Sequence, residues 1–191
     1  MEGIAGVAGD LLPARVLLLC GPPGAGKSTV AQQVAEGFAR SAHLKVDDLR
    51  EIEVNGFAPP GLEWTEAHES QFVRARTAAT LIARLHSADG VTLVIDDVCV
   101  PGHFEDHYVD LFADPLVHRV MLKPTRAAVE RRIRARGGEW DELLLSSGAL
   151  PWCYERLDRL PLDGWTVIDS SDLSANETIE AVRRSLASPP A

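Results

Sequence analysis

The chain has 191 residues, of which 46% are apolar and 25% are charged, and this length favours one well-buried domain over two. A formal charge of −9 at pH 7 argues against charge-driven binding to nucleic acid or to anionic membranes, although it leaves room for a local basic site. The three cysteines form no C-x-x-C pair, which argues against a zinc site or a disulfide framework and favours reduced, mostly buried thiols in a cytoplasmic protein.

The two ends of the chain show no pattern of a folded element. Residues 1–14 lack a positive leader and contain Glu2 and Asp10, so we expect a short flexible lead there and no secretory signal. The final residues, 188–191, are expected to be a frayed tail. We therefore expect a single domain over residues 15–187, with no apolar run near the ~20 residues that a membrane helix needs.

In chain order, short apolar runs alternate with helical patterns. The runs predict five strands at 16–20, 42–48, 91–97, 117–122 and 165–171. Apolar repeats predict helices at 28–40, about 64–86, 125–137, 139–160 in two pieces broken around 148–151, and 176–186, with Thr125 and Ser174 as N-caps. This alternation predicts an α/β fold, a parallel sheet covered by helices on both faces. In such folds ligands bind at the carboxyl ends of the strands.

The first predicted strand is followed by "GPPGAGKS", which fits the pattern G-x-x-x-x-G-K-[ST] at Gly21, Gly26, Lys27 and Ser28. Glycines allow consecutive backbone N–H groups to face phosphate oxygens, and the helix that follows directs its positive end to the same place. Lys27 is suited to the β- and γ-phosphates and Ser28 to Mg²⁺. The sequence therefore predicts a nucleoside triphosphate site, whose contacts we expect from Gly21, Gly24, Ala25, Gly26, Lys27, Ser28 and Thr29.

The second predicted strand ends in "KVDDLR", at the edge where the γ-phosphate is expected. Asp47 is placed to accept a proton from an acceptor hydroxyl, an effect worth roughly 10²–10⁴ in rate. Arg50, three residues later, is suited to hold an acidic group of the acceptor. The alternative is that one of the two carboxylates, with Asp48 the better candidate, only caps the next helix.

The third predicted strand ends in "VIDD". We expect Asp96 to orient the Mg²⁺ shell through water and Asp97 to meet the acceptor or the backbone. Which of the two serves the metal is left open by the sequence.

An arginine-rich helix precedes two glycines in "VERRIRARGG". Arg132 and Arg136 lie on one helical face and lead into a possible hinge, so we expect a helical lid at about 137–150 that brings Arg136 to the transferred phosphoryl group. Arg132 is expected to contact the nucleotide base or phosphates. The alternative is a solvated basic face with Glu130 as an ion-pair partner.

Taken together, these motifs resemble the small P-loop kinases, and more closely the branch with chloramphenicol phosphotransferase, zeta toxins and polynucleotide 5′-kinases. "KVDDLR" is similar to the acid after the second strand in that branch, which implies that Asp47 is the base. The D-x-x-R spacing of Asp47 and Arg50 resembles that of polynucleotide and zeta-type kinases, in which the arginine holds an acceptor phosphate. "VIDDV" is similar to the third strand of chloramphenicol phosphotransferase, and "VERRIRARGG" to the arginine-bearing helix that enters the lid. The resemblance implies a P-loop NTPase three-layer sandwich with a five-stranded parallel sheet in the order 2-3-1-4-5.

The function expected from these residues is transfer of the ATP γ-phosphate, with Mg²⁺, to a hydroxyl of a small-molecule acceptor. In this hypothesis Lys27, Asp47 and Arg136 are the catalytic residues. One alternative is a polynucleotide 5′-hydroxyl kinase, and another is a regulatory protein that binds nucleotide without transferring phosphate. The acceptor, the choice between ATP and GTP and the oligomeric state cannot be predicted from the sequence.

Overall fold

A computed structural model describes residues 16–58, 64–98, 105–159 and 162–187 of the chain. The predicted lead at 1–14 and the predicted tail at 188–191 lie outside these ranges and stay predictions. Across the described ranges, none of the helices has the length and apolar character needed to span a membrane.

Five parallel strands form one sheet in the order β2-β3-β1-β4-β5, which confirms the predicted topology. The strands are β1 (Val16–Cys20), β2 (Ser41–Lys45), β3 (Thr92–Asp97), β4 (Val117–Leu122) and β5 (Thr166–Ile168). In the centre of the sheet, Leu19 of β1 lies opposite Asp96 of β3 on one side and Val120 of β4 on the other. The carboxyl ends of these strands therefore meet at one edge of the sheet.

Eight α-helices lie within the described residues. They are α1 (Lys27–Ala35), α2 (Val46–Arg50), α3 (Glu66–Ala88), α4 (Val109–Phe112), α5 (Arg126–Arg136), α6 (Glu139–Ser146), α7 (Ala149–Arg159) and α8 (Ala175–Leu186), and a 3₁₀ turn at Glu105–Tyr108 precedes α4. Both predicted N-caps are confirmed. The Thr125 side chain accepts a hydrogen bond from the N–H of Ala128, and Ser174 forms a capping box with Glu177.

The core lies in two layers because alternate residues of a buried strand point to opposite faces of the sheet. Val16, Leu18 and Cys20 of β1 belong to the layer that packs against α3 and α7. Leu17 and Leu19 belong to the layer that packs against α1 and α8. Helices on both faces give the predicted three-layer sandwich. A smaller apolar cluster, in which Val129 and Ile133 meet Leu150 and Tyr154, joins α5 to α7.

Three predicted boundaries are wrong, of which one is the fifth strand, expected to reach residue 171 but ending at Ile168. The first helix ends at Ala35 rather than at Arg40. Gly37 comes two residues after Ala35, and glycine destabilises a helix. The second strand ends at Lys45, so Asp47 and Asp48 lie in the first turn of α2 rather than at the end of a strand. Lys45 is the N-cap of α2 and no side chain caps it, so the alternative that Asp48 caps this helix is also wrong.

Candidate active site

The glycine-rich loop connects the central strand β1 to α1. Gly26 is the N-cap of α1, so the first free N–H groups and the positive end of the helix dipole are directed at this loop. Gly24 has a φ of +78°, and a Cβ on it would lie 2.8 Å from Cγ1 of Ile133, so the loop packs tightly against α5. Lys27 donates from Nζ to the carbonyl oxygen of Pro22 at 3.2 Å, which keeps its ammonium group at the loop.

A cavity of about 280 Å³ opens beside this loop. Its lining contains Gly24, Gly26, Lys27, Ser28 and Thr29 from the loop and α1, and Arg132, Ile133 and Arg136 from α5. Backbone N–H groups, a hydroxyl and cationic side chains are the partners that phosphate oxygens require. We call this space the phosphate cavity.

Asp96 lies buried near the end of β3, close enough to Lys27 and Ser28 for both to affect its carboxyl group. Burial acts to raise the pKa of its carboxyl group, but His43, the charge of Lys27 and the hydroxyl of Ser28 together hold that pKa below its ordinary value. His43 Nε2 is 3.8 Å from Asp96 Oδ2, which is too long for a hydrogen bond, and this buried nitrogen has no hydrogen-bond partner among the described residues. Asp96 is therefore ionised at neutral pH beside Ser28.

Asp97 belongs to a different environment, since consecutive strand residues point to opposite faces. Its carboxylate is 1% exposed and accepts hydrogen bonds from Nε of Arg76 at 2.7 Å and from the hydroxyl of Tyr108 at 2.9 Å. These bonds hold α3 and the 3₁₀ turn against β3. The prediction that Asp97 contacts the acceptor does not fit this geometry, because buried partners occupy the carboxylate.

A larger cavity of about 500 Å³ lies between α2 and α3 on one side and the predicted lid on the other. Lys27 and Arg136 line it as well, so the two cavities meet at these cations. Its remaining lining is mostly apolar and aromatic. These residues include Trp64, His68 and Phe72 around α3, Trp140, Leu143 and Leu144 on α6, and Trp152 and Cys153 on α7. We call this space the acceptor cavity.

Asp47 and Arg50 also line the acceptor cavity, one turn apart on α2. The Asp47 side chain is 61% exposed, and its Oδ1 accepts a hydrogen bond from Arg50 at 3.1 Å. Arg50 is only 3% exposed, donates a second bond to the carbonyl oxygen of Ala58, and lies 3.9 Å from the centre of the Phe72 ring. Both terminal nitrogens of Arg50 are thus held by groups of the protein. The buried Nε of Arg50 and Oδ2 of Asp47 have no hydrogen-bond partner within the described ranges.

Arg136 is held by the first turn of α6. Its guanidinium donates from Nε to Asp141 Oδ2 at 2.9 Å and from a terminal nitrogen to Asp141 Oδ1. This hydrogen bonding raises the pKa of Arg136 and lowers the pKa of Asp141, so the pair is charged at neutral pH. Gly137 and Gly138 separate the two helices, and the pair therefore joins α5 to the predicted lid across this break.

Arg132 reaches from α5 to the loop after β5. It donates to the carbonyl oxygens of Ser170 and Leu173, and the hydroxyl of Ser171 in the same loop accepts a bond from the N–H of Thr125. The loop at 169–173 is thereby fixed beside the phosphate cavity that Arg132 lines. The predicted contact of Arg132 with a base or phosphate stays a prediction.

The sequence of the chain matches the model of one protein family. The model of AAA_33, an AAA domain, matches residues 16–146, which is well over half of the chain. The chain belongs to the AAA_33 family. No curated protein matches its sequence.

This AAA_33 protein is similar to solved structures over nearly its whole length. A sugar kinase from Janibacter sp. HTCC2649 has a TM-score of 0.64 at 19% identity and covers 89% of this chain and 92% of its own. A tunicamycin resistance protein from Deinococcus radiodurans has a TM-score of 0.64 at 18% identity, with 92% and 97% covered. A gluconokinase from Sinorhizobium meliloti 1021 has a TM-score of 0.64 at 17% identity, with 90% and 91% covered. The fold is that of the small P-loop kinases, as the motifs predicted.

The sequence analysis did not predict the site contacts of three polar side chains of this AAA_33 protein. His43 meets Asp96 through the pairing of β2 with β3, Arg76 meets Asp97 from α3, and Asp141 meets Arg136 across the glycine pair. The first two contacts cross between elements far apart in sequence, so no local pattern signals them. Asp141 had a usable signal, because it lies in the first turn of the helix that follows the glycines.

Proposed function

We propose that this AAA_33 protein is an ATP- and Mg²⁺-dependent kinase that transfers the γ-phosphate to a hydroxyl of a small-molecule acceptor. The observation that carries this proposal is the junction of two cavities at Lys27 and Arg136. One cavity has the donors that a polyphosphate needs, and the other is a mostly apolar space that Asp47 borders. Two substrates in these cavities would meet at the shared cations.

In this proposal Lys27 and Arg136 stabilise the phosphoryl group during transfer. The bond between the γ-phosphorus and its bridging oxygen breaks, and a bond to the acceptor oxygen forms. Lys27 exchanges its bond to the Pro22 carbonyl for phosphate oxygens, and Arg136 contributes the terminal nitrogen that Asp141 leaves open. Cations that neutralise the charge developing on the transferred phosphoryl group are a main source of rate in such reactions.

Asp47 is proposed as the base that receives the acceptor proton. Asp47 lines the acceptor cavity, its Oδ1 is held by Arg50, and its Oδ2 has no partner within the described ranges, so the carboxylate is oriented without being blocked. Asp47 accepts the proton of the acceptor hydroxyl as the new bond to phosphorus forms. The proton is later released to solvent. The exposure of its side chain supplies that route.

The site also fits Mg²⁺ in the chemistry of its donors. Within the described ranges no cluster of three or more His, Cys, Asp and Glu side chains has the geometry of a metal site. Mg²⁺ usually keeps several waters and takes one or two protein oxygens with the substrate phosphates. Ser28 and the ionised Asp96 supply such oxygens, with Asp96 acting through water. When bound, the cation would neutralise charge on the phosphates.

The polynucleotide alternative gains no support from Arg50. In that hypothesis Arg50 holds a phosphate of the acceptor, but its guanidinium is buried and bound by Asp47 and Ala58. A small-molecule acceptor requires no such contact. The proposed partner is therefore a small molecule rather than a nucleic acid.

The proposal is tested by following the γ-phosphate. The protein is incubated with γ-labelled ATP, Mg²⁺ and a pool of nucleosides, sugars, hydroxylated antibiotics and a 5′-hydroxyl oligonucleotide. We expect label in a small molecule, abolished by Lys27→Ala and reduced about 10²–10⁴-fold by Asp47→Asn. The exposed Asp48→Asn in the same helical turn serves as the matched control and should transfer at the normal rate. Label that stays on ATP or reaches only water would contradict the kinase proposal, and label in the oligonucleotide would favour the polynucleotide alternative.

A further inference from the structure

If the protein is the proposed kinase, the lining of the acceptor cavity indicates the chemistry of the acceptor. The charged side chains among its described lining residues are Lys27, Asp47, Arg50, Arg136 and Asp141. Asp47 neutralises Arg50, and Asp141 neutralises Arg136. Lys27 lies at the phosphate loop, where a bound nucleotide would take up its charge. With nucleotide in place, these residues offer an anionic acceptor no uncompensated cation.

The two long walls of the cavity are aromatic. On the α3 side, Trp64 stacks on Phe72 with ring centres 5.1 Å apart and an interplanar angle of 19°, and on His68 at 5.8 Å and 25°. On the opposite side, Trp140 and Trp152 line the cavity from α6 and α7. Aromatic side chains on both sides of the cavity favour a ligand that itself contains a ring, because contacts between rings add to the burial of apolar area.

Apart from His68 and the charged side chains named above, residues that would recognise a polyol are sparse in the described lining. Ser147 is the one described lining residue with a hydroxyl, and no Asn or Gln lines the cavity within the described ranges. A sugar would lose hydrogen bonds to water on entering such a space and regain few of them. The described part of the lining is therefore poorly suited to ligands that carry many hydroxyl groups.

We propose that the acceptor is an uncharged, ring-bearing alcohol, largely apolar, that stacks between the α3 wall and the Trp140–Trp152 wall with its hydroxyl directed at Asp47. A cavity of about 500 Å³ holds a molecule of one to three rings. The charge balance and the aromatic side chains of the described lining disfavour anionic sugars, nucleotides and polyols as acceptors.

The test measures binding without turnover. The protein is saturated with Mg²⁺ and a non-hydrolysable ATP analogue, and three probes are titrated by NMR: 2-naphthalenemethanol, 6-(hydroxymethyl)-2-naphthoate and glucose. The first two share ring and hydroxyl and differ in the carboxylate. We expect 2-naphthalenemethanol to bind at least tenfold more tightly than the naphthoate, and glucose to show no saturable binding. Equal or tighter binding of the naphthoate, tighter binding of glucose, or no binding of 2-naphthalenemethanol would overturn the proposal.

Variants show whether the probe occupies this cavity. Trp140 is 60% exposed, so Trp140→Ala is expected to fold normally while weakening 2-naphthalenemethanol at least fivefold. Leu85→Ala removes an exposed apolar side chain from α3 outside the cavity and should leave binding unchanged. Equal effects of the two variants would place the probe elsewhere and contradict the proposal. Because no phosphate moves in this experiment, its failure is distinct from failure of the transfer assay, which reports on the kinase function alone.

Discussion

At the scale of single residues, Asp96 and Asp97 show how adjacent carboxylates come to have separate tasks. Asp96 lies near Lys27 and Ser28, while Asp97 is bound by Arg76 and Tyr108 on the other face of β3. The alternation of a strand produces this division, and the sequence "DD" at a strand end does not reveal it. Removing the Asp97 carboxylate would leave the buried Arg76 cation without this carboxylate, so the pair has a structural role.

The Cys153 thiol lines the acceptor cavity and is a possible target of alkylating reagents. Burial raises its pKa to about 11, although Lys27 and Arg156 act to lower it, so the thiol is protonated at neutral pH. We expect iodoacetamide to modify Cys153 at pH 8 at least a hundredfold more slowly than in the unfolded chain, and faster as the pH rises toward 11. Peptide mapping by mass spectrometry separates Cys153 from the other two cysteines. Rapid labelling at pH 8 in the folded protein would contradict a buried, protonated thiol.

At the scale of elements, the glycine-rich loop depends on close packing against α5. Gly24 and Gly56 have nearly the same φ, +78° and +80°, but of the two only Gly24 has a neighbour among the described residues that a Cβ would strike. We expect Gly56→Ala to cost about 1–2 kcal/mol of unfolding free energy from the left-handed conformation alone. Gly24→Ala should cost about 1–3 kcal/mol more, because Ile133 must move. Urea denaturation of both variants measures the difference, and equal losses would show that the contact with α5 contributes nothing.

The Arg136–Asp141 pair connects α5 to α6 across two glycines, and we expect it to position Arg136 for phosphoryl transfer. Asp141→Asn should lower kcat about tenfold with little change in the KM for ATP, since a displaced cation weakens stabilisation of the transition state. Glu142→Gln removes the neighbouring charge of the same helix and should leave kcat unchanged. Adding Asp141→Asn to Arg136→Ala should cause no further loss. Additive losses in the double variant would mean that Asp141 acts independently of Arg136.

The elements that the sequence predicted well are those with strong local patterns. The five strands, the two N-caps and the glycine-rich loop follow from apolar runs, from capping residues and from a fixed spacing of glycines. The position of Asp47 in α2 and the partners of Arg50 were not predictable. Helix α2 has only five residues, and the contacts of Arg50 with Ala58 and Phe72 depend on how α3 returns to the sheet. The pairing of Arg136 with Asp141 likewise depends on the turn at Gly137 and Gly138.

At the scale of the whole molecule, the two cavities are formed by elements that only the complete fold brings together. The phosphate cavity needs the loop after β1 and the arginines of α5, and the acceptor cavity needs α2, α3, α6 and α7. A ligand that binds both the loop and α5 therefore binds the folded state and has no equivalent site in the unfolded chain. Binding of nucleotide is consequently linked to the stability of the domain.

This linkage predicts a thermal shift that is separable from catalysis. ATP with Mg²⁺ at a hundred times its Kd should stabilise the fold by about 2.7 kcal/mol, which for a domain of this size raises Tm by roughly 5–10 °C. Lys27→Ala should largely remove the shift, because it deletes the mobile cation of the phosphate cavity. Asp47→Asn should retain it, since Asp47 borders the acceptor cavity and not the phosphate cavity. Differential scanning calorimetry measures all three proteins, and loss of the shift in Asp47→Asn would contradict the separation of the two cavities.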